Sequence, residues 1–190
     1  MCPIGLRSRY GLSAEELLEA LDRRFRAKVT LEGAVAEVQL GKHISAAVDA
    51  GAIVRFEEHD QDGYPDYTIW TPDARRVFRV ECKNVRDSDE AYRQGGLVVA
   101  YKVETQKTRT SQDDPTSRFY GVDQFEILGV CLGKKTRNWS DFVFAYTKNL
   151  NRHARHPGKL AVMHRVPLHP SEADGIWHGS LVALLAEDPT

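Results

Sequence analysis

The order of apolar and polar positions predicts that the chain begins with two helices. Apolar residues recur at helical spacing over 14–27, and Ser13 and Glu16 have the spacing of a capping box at the start of this stretch. A second stretch with helical periodicity covers 31–50 and stops at Gly51, the residue type that most often follows a helix. The N-terminal part of the chain is therefore expected to be helical.

Short apolar runs bounded by turn residues predict strands in the rest of the chain. These strands are expected over 52–58, 66–71, 76–85, 125–133 and 141–147. The polar stretches 86–96 and 110–119 are expected to be loops, whereas 97–109 is ambiguous between helix and strand. A short helix is predicted near 179–186. The sequence shows no linker or repeat that would divide 1–190 into domains.

Composition narrows the class of protein and its compartment. Hydrophobic residues make up 42% and charged residues 28% of the 190 residues, which is ordinary for a globular protein. No apolar run approaches the roughly 20 residues of a membrane span, and the N-terminus lacks the apolar centre of a signal peptide. Cys82 and Cys131 lie in apolar runs without the spacing of a metal site. A cytoplasmic protein with no membrane span and no zinc site is expected.

The net charge of −1 excludes a histone-like protein that binds nucleic acid through bulk charge, but the basic residues are clustered. The clusters are Arg23, Arg24, Arg26 and Lys28; Lys107, Arg109 and Arg118; Lys134, Lys135 and Arg137; and Arg152, His153, Arg155, His156 and Lys159. Each cluster alone fits a solvated surface, and together they also fit a basic groove around an acidic metal centre. Nucleic acid therefore stays open as a partner.

The strongest chemical signal lies in two neighbouring predicted strands, which carry two acids and a lysine. Because strand side chains alternate between faces, Glu81 and Lys83 must share one face while Cys82 points to the other. Asp66 opens the preceding strand, and a hairpin through the turn 71–74 places it near that pair. A charged pair at the end of an apolar strand is costly unless it meets water, a partner or a metal. A polar site is expected where these three side chains converge.

Glu37 is a further acid in an unexpected place. On the helix predicted over 31–50 it falls in the middle of an apolar arc, on the face expected to pack against the sheet. The apolar residues of this arc are Ala34, Leu40, Ile44 and Val48. Glu37 either reaches the edge of the metal site or forms a buried ion pair, for which Arg79 is the candidate partner.

These residue types suit the hydrolysis of a phosphodiester bond. Mg²⁺ prefers oxygen ligands, and Asp66, Glu81 and the carbonyl of Cys82 could hold it against a phosphate. The ion would polarise a phosphoryl oxygen and acidify a water, while Lys83 would orient that water and stabilise the charge of the transition state. Glu37 could bind a second ion or a water on the metal. Mg²⁺ is the predicted cofactor, with Mn²⁺ as a substitute.

At these positions the chain resembles the PD-(D/E)xK nuclease superfamily, which has the restriction-endonuclease-like fold. Pro65 and Asp66 match the PD, residues 81–83 match the (D/E)xK, and Glu37 matches the acid that a preceding helix supplies. The resemblance implies an α/β fold with an αβββαβ core, in which helices flank a mixed central sheet. It covers about 31–147 and leaves an N-terminal helix over 14–27 and a C-terminal extension over 148–190.

A second resemblance concerns the residues after the ExK strand. Residues 103–111 and 118–132 look like a pattern of bacterial restriction-endonuclease-like proteins, in which a Gln, Lys or Arg points at the metal site or the phosphate. Candidates for this role are Gln106, as a catalytic residue, and Lys107. Arg109 and Arg118 are the candidate phosphate contacts, with Lys107. Tyr120 could stack on bases, although aromatic residues near strands are more often part of the core.

The resemblance implies a metal-dependent endonuclease that hydrolyses phosphodiester bonds in DNA, of the restriction or defence type. One catalytic centre cuts one strand, so double-strand cleavage would imply a homodimer, and a defence role would bring partner proteins. Two other functions stay open. One is a DNA repair or junction-specific nuclease, and the other is a non-cleaving nucleic-acid-binding subunit of a defence complex.

Overall fold

The computed structural model describes residues 6–61, 63–73, 76–87, 90–107, 114, 116–172 and 175–187. The chain divides into two compact units, residues 1–35 and 36–190. The helices in the described ranges are α1 (Leu6–Tyr10), α2 (Ala14–Asp22), α3 (Phe25–Asp49), α4 (Gly133–Thr136) and α5 (Leu181–Glu187), with a 3₁₀ turn at Thr147–Asn149. The strands are β1 (Arg55–Glu58), β2 (Tyr67–Trp70), β3 (Val77–Asn84), β4 (Ala91–Gln94), β5 (Leu97–Glu104), β6 (Ile127–Cys131), β7 (Phe142–Tyr146), β8 (Arg152–His153), β9 (His156–Leu160) and β10 (Met163–Val166).

The structure contains both helix-boundary features that the sequence predicts, the capping box and the glycine that follows a helix. The Ser13 hydroxyl accepts a hydrogen bond from the Glu16 amide at 3.2 Å, and the Glu16 carboxylate accepts one from the Ser13 amide at 2.8 Å, which confirms the capping box of α2. After α3, Gly51 has a φ of +73° and donates its amide to the carbonyl of Val48 at 2.9 Å. This left-handed conformation favours glycine and ends the helix.

The break between the two long helices lies earlier than the sequence predicts. The predicted helices cover 14–27 and 31–50, whereas α2 ends at Asp22 and α3 begins at Phe25. Residues 25–35 contain no proline and one glycine, so their local sequence does not stop a helix. The predicted N-terminal helix is therefore too long, and the second helix begins too late.

The central sheet has five strands in the order β1-β2-β3-β6-β7. All neighbours in it pair antiparallel except β3 and β6, which pair in parallel. The α/β class with a mixed central sheet is therefore confirmed. β6 and β7 are buried along their whole length, and this explains why they read as continuous apolar runs.

The connection from β3 to β6 differs from the implied αβββαβ core. The described residues between Asn84 and Ile127 form the hairpin β4–β5 and contain no helix. The range 86–96, predicted as a loop, holds β4, and the ambiguous range 97–109 holds β5. Gly95 and Gly96, with φ of +57° and +83°, allow the tight reversal between these strands. The predicted order αβββ is present, but the second helix of that core is wrong for the residues described here.

Residues after 147 also belong to the folded core. β10 pairs with β5 in a second sheet of order β10-β5-β4. The short helix predicted near 179–186 is confirmed as α5, and its Leu181 and Leu184 are fully buried. The predicted core over 31–147 leaves out these contributions.

The apolar residues of the second unit form two clusters, to which β6 and β7 contribute alternate residues. In the first cluster, Leu40 and Ile44 of α3 pack with Phe78 and Val80 of β3. The second cluster contains Val130 of β6, Val143 and Ala145 of β7, and Leu128, Leu160, Tyr120 and Phe125. Cys82 and Cys131 are buried free thiols in the first cluster, so they pack as small hydrophobes. Across the ranges that the structure describes, no helix has the length and apolar character to cross a membrane.

Candidate active site

The site lies where β3 continues past the start of β2. The antiparallel register pairs Tyr67, the first residue of β2, with Val80, so the next residues of β3 have no β2 backbone beside them. The Asp66 carboxylate takes that place, because its Oδ2 accepts the Cys82 amide at 2.6 Å. Continuing the register would set Asp66 opposite Glu81. The predicted approach of Asp66 to the β3 acid is thus confirmed.

Glu81 and Lys83 share one face of β3, as strand parity predicts. The Lys83 ammonium donates to Glu81 Oε1 at 2.6 Å, and the Tyr120 hydroxyl donates to the same oxygen at 2.5 Å. The side chains of Glu81 and Lys83 are 8% and 23% exposed. Cys82 points to the other face and packs in the first apolar cluster. An acid and a lysine are therefore held together at low exposure.

Tyr120 connects this pair to a second lysine. The Lys83 ammonium lies 5.2 Å from the centre of the Tyr120 ring, and the Lys107 ammonium lies 5.7 Å from it. Both distances are in the range of cation–π contacts. Tyr120 is 9% exposed, so two ammonium groups contact one buried ring.

A cavity of ≈ 580 Å³ opens at this point. It is lined by Glu37, Gln61, Gly63, Tyr64, Pro65, Asp66, Glu81, Lys107, Tyr120, Gln124 and Phe125. Three acids that the sequence analysis selected therefore share one cavity. Its volume lies within the range of about 300–1,000 Å³ that is common for ligand pockets.

The electrostatics of the acids show an excess of negative charge. Burial raises the pKa of Asp66 to about 7, Glu81 adds to this effect, and the Cys82 amide and Lys83 oppose it. Partial burial at the cavity wall also raises the pKa of Glu37; the charge of Lys83 acts to lower this pKa and that of Glu81 to raise it. For Lys83, burial acts to lower the pKa, but Glu81 and Tyr120 outweigh it, so the pKa is raised and the lysine is held charged. A proton or a cation beside Asp66 would relieve the repulsion between the acids.

Glu37 reaches the cavity from a different face of α3 than predicted. The buried residues of that helix are Ala36, Leu40, Ile44 and Ala47, and Glu37 itself is exposed. The prediction of Glu37 in the middle of the packed face is therefore wrong, although the prediction that it reaches the site edge is supported by its place in the cavity wall. The competing ion pair with Arg79 is also wrong, because Arg79 pairs with Glu126 at 2.5 Å.

A close approach of α3 to β2 sets the position of Glu37. The Tyr67 hydroxyl donates to the Glu37 carbonyl at 3.1 Å. One turn later, a Cβ atom at Gly41 would lie 2.7 Å from that hydroxyl oxygen, so a larger residue would push the helix from the strand. Tyr67 and Gly41 thus hold this turn of the helix at the start of β2, beside Asp66.

The remaining predicted residues are only partly brought together. Lys107 lines the cavity, whereas Gln106 is absent from its wall and pairs through its backbone with Phe119. Arg118 is partly buried and donates its Nε to the Lys107 carbonyl at 3.3 Å. Arg109 lies outside the described residues. For Cys82 the structure shows its amide bound to Asp66, and a role for its carbonyl as a ligand stays a prediction.

Sequence reasoning missed several residues of the cavity. Gln61, Gly63 and Tyr64 lie just before Pro65, so their nearness to Asp66 in the chain was a signal. No local signal exists for Gln124, Phe125 or the bond from Tyr120 to Glu81, because these contacts join parts of the chain that are 39 or more residues from Glu81.

The donor set fits a hard divalent cation in one specific way. Within the described ranges, no group of three or more His, Cys, Asp and Glu side chains is placed to hold a metal ion. Mg²⁺, however, keeps several waters and is often held by one or two carboxylates together with substrate phosphates. Asp66 and Glu81 supply two such carboxylates, and the raised pKa of Asp66 marks a place where positive charge is favourable.

Comparisons of the chain with protein-family models, with curated proteins and with solved structures found no match.

Proposed function

We propose that this protein is a Mg²⁺-dependent endonuclease of the PD-(D/E)xK type, which hydrolyses phosphodiester bonds in DNA and serves restriction or defence. The observation that carries this proposal is that Asp66 and Glu81 line one cavity, where β3 extends past the start of β2, while Lys83 donates a hydrogen bond to Glu81. Two acids beside a partly buried lysine are the groups needed to bind a cation and a phosphate together.

Asp66 and Glu81 would hold the ion, with Glu37 at the cavity wall for a second ion or a water. When bound, Mg²⁺ or Mn²⁺ would polarise a phosphoryl oxygen and lower the pKa of a water. Tyr120 and Lys83 both engage Oε1 of Glu81, which orients this carboxylate toward the cavity side of β3. Asp66 is oriented in turn by the amide of Cys82.

Lys83 supplies the positive charge for the transition state. Its raised pKa keeps it an ammonium at neutral pH, so it can donate hydrogen bonds to a phosphate oxygen as negative charge accumulates there. Lys107, which also contacts the Tyr120 ring and lines the cavity, can bind a neighbouring phosphate. Since one centre cuts one strand, double-strand cleavage would require two copies of the chain.

The test is cleavage of supercoiled plasmid, single-stranded DNA and single-stranded RNA with Mg²⁺, Mn²⁺ or EDTA. Asp66→Ala and Lys83→Ala should each abolish cleavage, while circular dichroism shows an intact fold. Glu57→Ala and Lys42→Ala are matched controls, because they remove the same charges at exposed positions. Cleavage at the wild-type rate by either site variant would refute the assignment. Branched and linear duplexes compared in the same assay separate a junction-specific nuclease from a restriction type.

A nucleic-acid-binding protein without cleavage is the second candidate function, and one observation favours it. Lys83 and Tyr120 already engage Oε1 of Glu81, and the described residues hold no three-ligand metal group. Such a site is electrostatically satisfied in part without an ion. Calorimetric titration with Mn²⁺ separates the two functions: a nuclease should bind the ion through Asp66, whereas tight DNA binding with no Mn²⁺ uptake would support the second function.

A further inference from the structure

A basic hairpin lies beside the segment that carries Tyr120. Strands β8 and β9 form it, and the sequence of residues 152–160 contains three Lys or Arg residues and no acid, in a chain whose net charge is −1. Arg152, Arg155 and His156 are exposed, and Lys159 is partly buried. Positive charge is therefore concentrated on a short element of regular structure.

Backbone hydrogen bonds join this hairpin to the wall of the cavity. The Leu160 amide donates to the Tyr120 carbonyl at 2.9 Å, and the Val122 amide donates to the Gly158 carbonyl at 3.2 Å. β9 is thus the neighbouring strand of the segment around Tyr120. At about 3.3 Å per residue, Arg155 lies no more than roughly 17 Å along the hairpin from Leu160. This reach corresponds to about five nucleotides of a DNA strand, at about 3.4 Å of axis each.

The tip of the hairpin is held in one conformation by aromatic contacts. The His153 ring stacks on Phe119 with 4.5 Å between the ring centres, and His156 lies 4.9 Å from His153. The Arg155 amide donates to Nδ1 of His153 at 3.2 Å. A basic surface that is ordered before binding loses less conformational entropy when a polyanion docks.

Other basic residues extend from the hairpin toward the cavity. Hydrogen bonds from Thr116 lower the pKa of Asp114, and Lys159 and His156 act in the same direction, so the positive potential of the hairpin reaches this segment. The Lys107 amide donates to the Arg118 carbonyl at 2.8 Å, so Arg118 lies on the backbone next to a basic residue of the cavity wall.

We infer that the β8–β9 hairpin is the DNA-docking surface of this protein, where Arg152, Arg155 and Lys159 bind phosphates that flank the one in the cavity. The inference rests on the proposed function, because the polymer that enters the cavity must pass the adjacent strand. A phosphate backbone suits this surface better than an acidic peptide does, since its charges repeat at regular spacing along a path longer than the hairpin.

The test measures binding of a fluorescent duplex by anisotropy, in the Asp66→Asn background so that no cleavage occurs. The triple variant R152Q/R155Q/K159Q should bind about 10- to 100-fold more weakly at roughly 0.1 M salt, and the slope of log affinity against log salt should become shallower by about 2 to 3. The matched control R23Q/R24Q/R26Q removes the same charge from exposed residues of the first unit and should change little. Circular dichroism shows whether the triple variant is folded. If it is not, the single variants R152Q and R155Q are used for the same binding measurement.

Equal losses in both triple variants would show that bulk charge holds the DNA and would overturn the inference. Equally tight, equally hairpin-dependent binding of a glutamate-rich peptide would also overturn it, in favour of an acidic protein partner. Hairpin-dependent DNA binding without cleavage by the wild-type protein would support the inference and count against the proposed nuclease. Cleavage with hairpin-independent binding would support the nuclease and overturn the docking surface.

Discussion

Two ion pairs lie on the same face of β3 and have different surroundings. Arg79 and Glu126 form one pair, with side chains 41% and 36% exposed, and Lys83 and Glu81 form the other, with 23% and 8%. Arg79 also donates to the carbonyl of Asp123 at 2.6 Å, so the first pair ties β3 to the residues that lead into β6. The second pair adjoins a further acid, Asp66, and a cavity.

The candidate site differs from the structural ion pair in its charge balance and in the open volume beside it. At Arg79 each charge is matched by its partner, and neither group lines the cavity. At Glu81 one lysine serves two acids, and burial together with the negative charge of Glu81 raises the pKa of Asp66. Surplus charge beside open volume, and not the presence of an ion pair, marks the place where a cation and a phosphate would bind.

The largest expected difference between the two pairs is in cleavage. Lys83→Met should lower the cleavage rate by at least about 10²- to 10³-fold, because it removes the cation that stabilises the transition state. Arg79→Met removes a cation of the same face and should change the rate per folded molecule by less than about two-fold. Single-turnover cleavage with excess enzyme measures both. Similar losses of cleavage rate in the two variants would mean that the two ion pairs do not differ in function.

Asp66→Asn should separate stability from function. Because the pKa of Asp66 rises from 3.8 to about 7 on folding, the folded state binds the proton more tightly, and stability falls as pH rises between these values. At about pH 8 the variant should be more stable than the wild type by about 1–3 kcal/mol, and near pH 4 the two should be alike.

Denaturant unfolding of both proteins at both pH values measures the effect of Asp66→Asn on the free energy of unfolding. The response of each protein to Mg²⁺ is the control. Adding Mg²⁺ near pH 8 should raise the Tm of the wild type and leave the variant unchanged, because an ion bound by the folded state stabilises it by mass action. Destabilisation of the variant at both pH values would mean that Asp66 acts mainly as an acceptor for the Cys82 amide.

Tyr120→Phe tests whether the Tyr120 hydroxyl orients Glu81. The variant keeps the ring that both lysines contact and removes the bond to Glu81. Mn²⁺ affinity and kcat should therefore each fall by about 3- to 30-fold, with KM for DNA little changed. Tyr146→Phe is the matched control, because its hydroxyl donates to the Leu184 carbonyl at 3.3 Å, among residues outside the cavity wall. Since the phenylalanine ring can still stack on bases, a rise in KM alone would instead indicate that the Tyr120 hydroxyl contacts the DNA.

The smallest effect is expected for Glu126→Gln. The amide can still accept from Arg79, but the ion pair is lost, so unfolding should become easier by about 1 kcal/mol with cleavage per folded molecule unchanged. Thermal unfolding with and without about 0.5 M salt measures it, and salt should narrow the gap to the wild type. A loss of cleavage without a loss of stability would show that Glu126 contributes to the active site.

Periodicity in the sequence predicted the parts of the site that depend on neighbouring residues. The shared face of Glu81 and Lys83 follows from alternation in a strand, and the capping box at Ser13 follows from a spacing of three residues. The approach of Asp66 to Glu81 also follows, because a hairpin fixes its register from the turn. The predicted position of the helix break and the predicted loop over 86–96, which contains β4, were wrong, because local propensities did not distinguish the alternatives there.

Local sequence was enough to show which groups β3 presents on each face, and that two acids and a lysine would meet at its end. Long-range packing was needed to show that Tyr120 and Lys107 join them and that Glu126, not Glu37, neutralises Arg79. It also set the hairpin β4–β5, where the described residues between β3 and β6 contain no helix. The difference lies in the sequence separation of the residues that interact. Backbone geometry repeats over two to four residues and can be read locally, whereas these contacts depend on how distant segments pack and on which partner wins each charge.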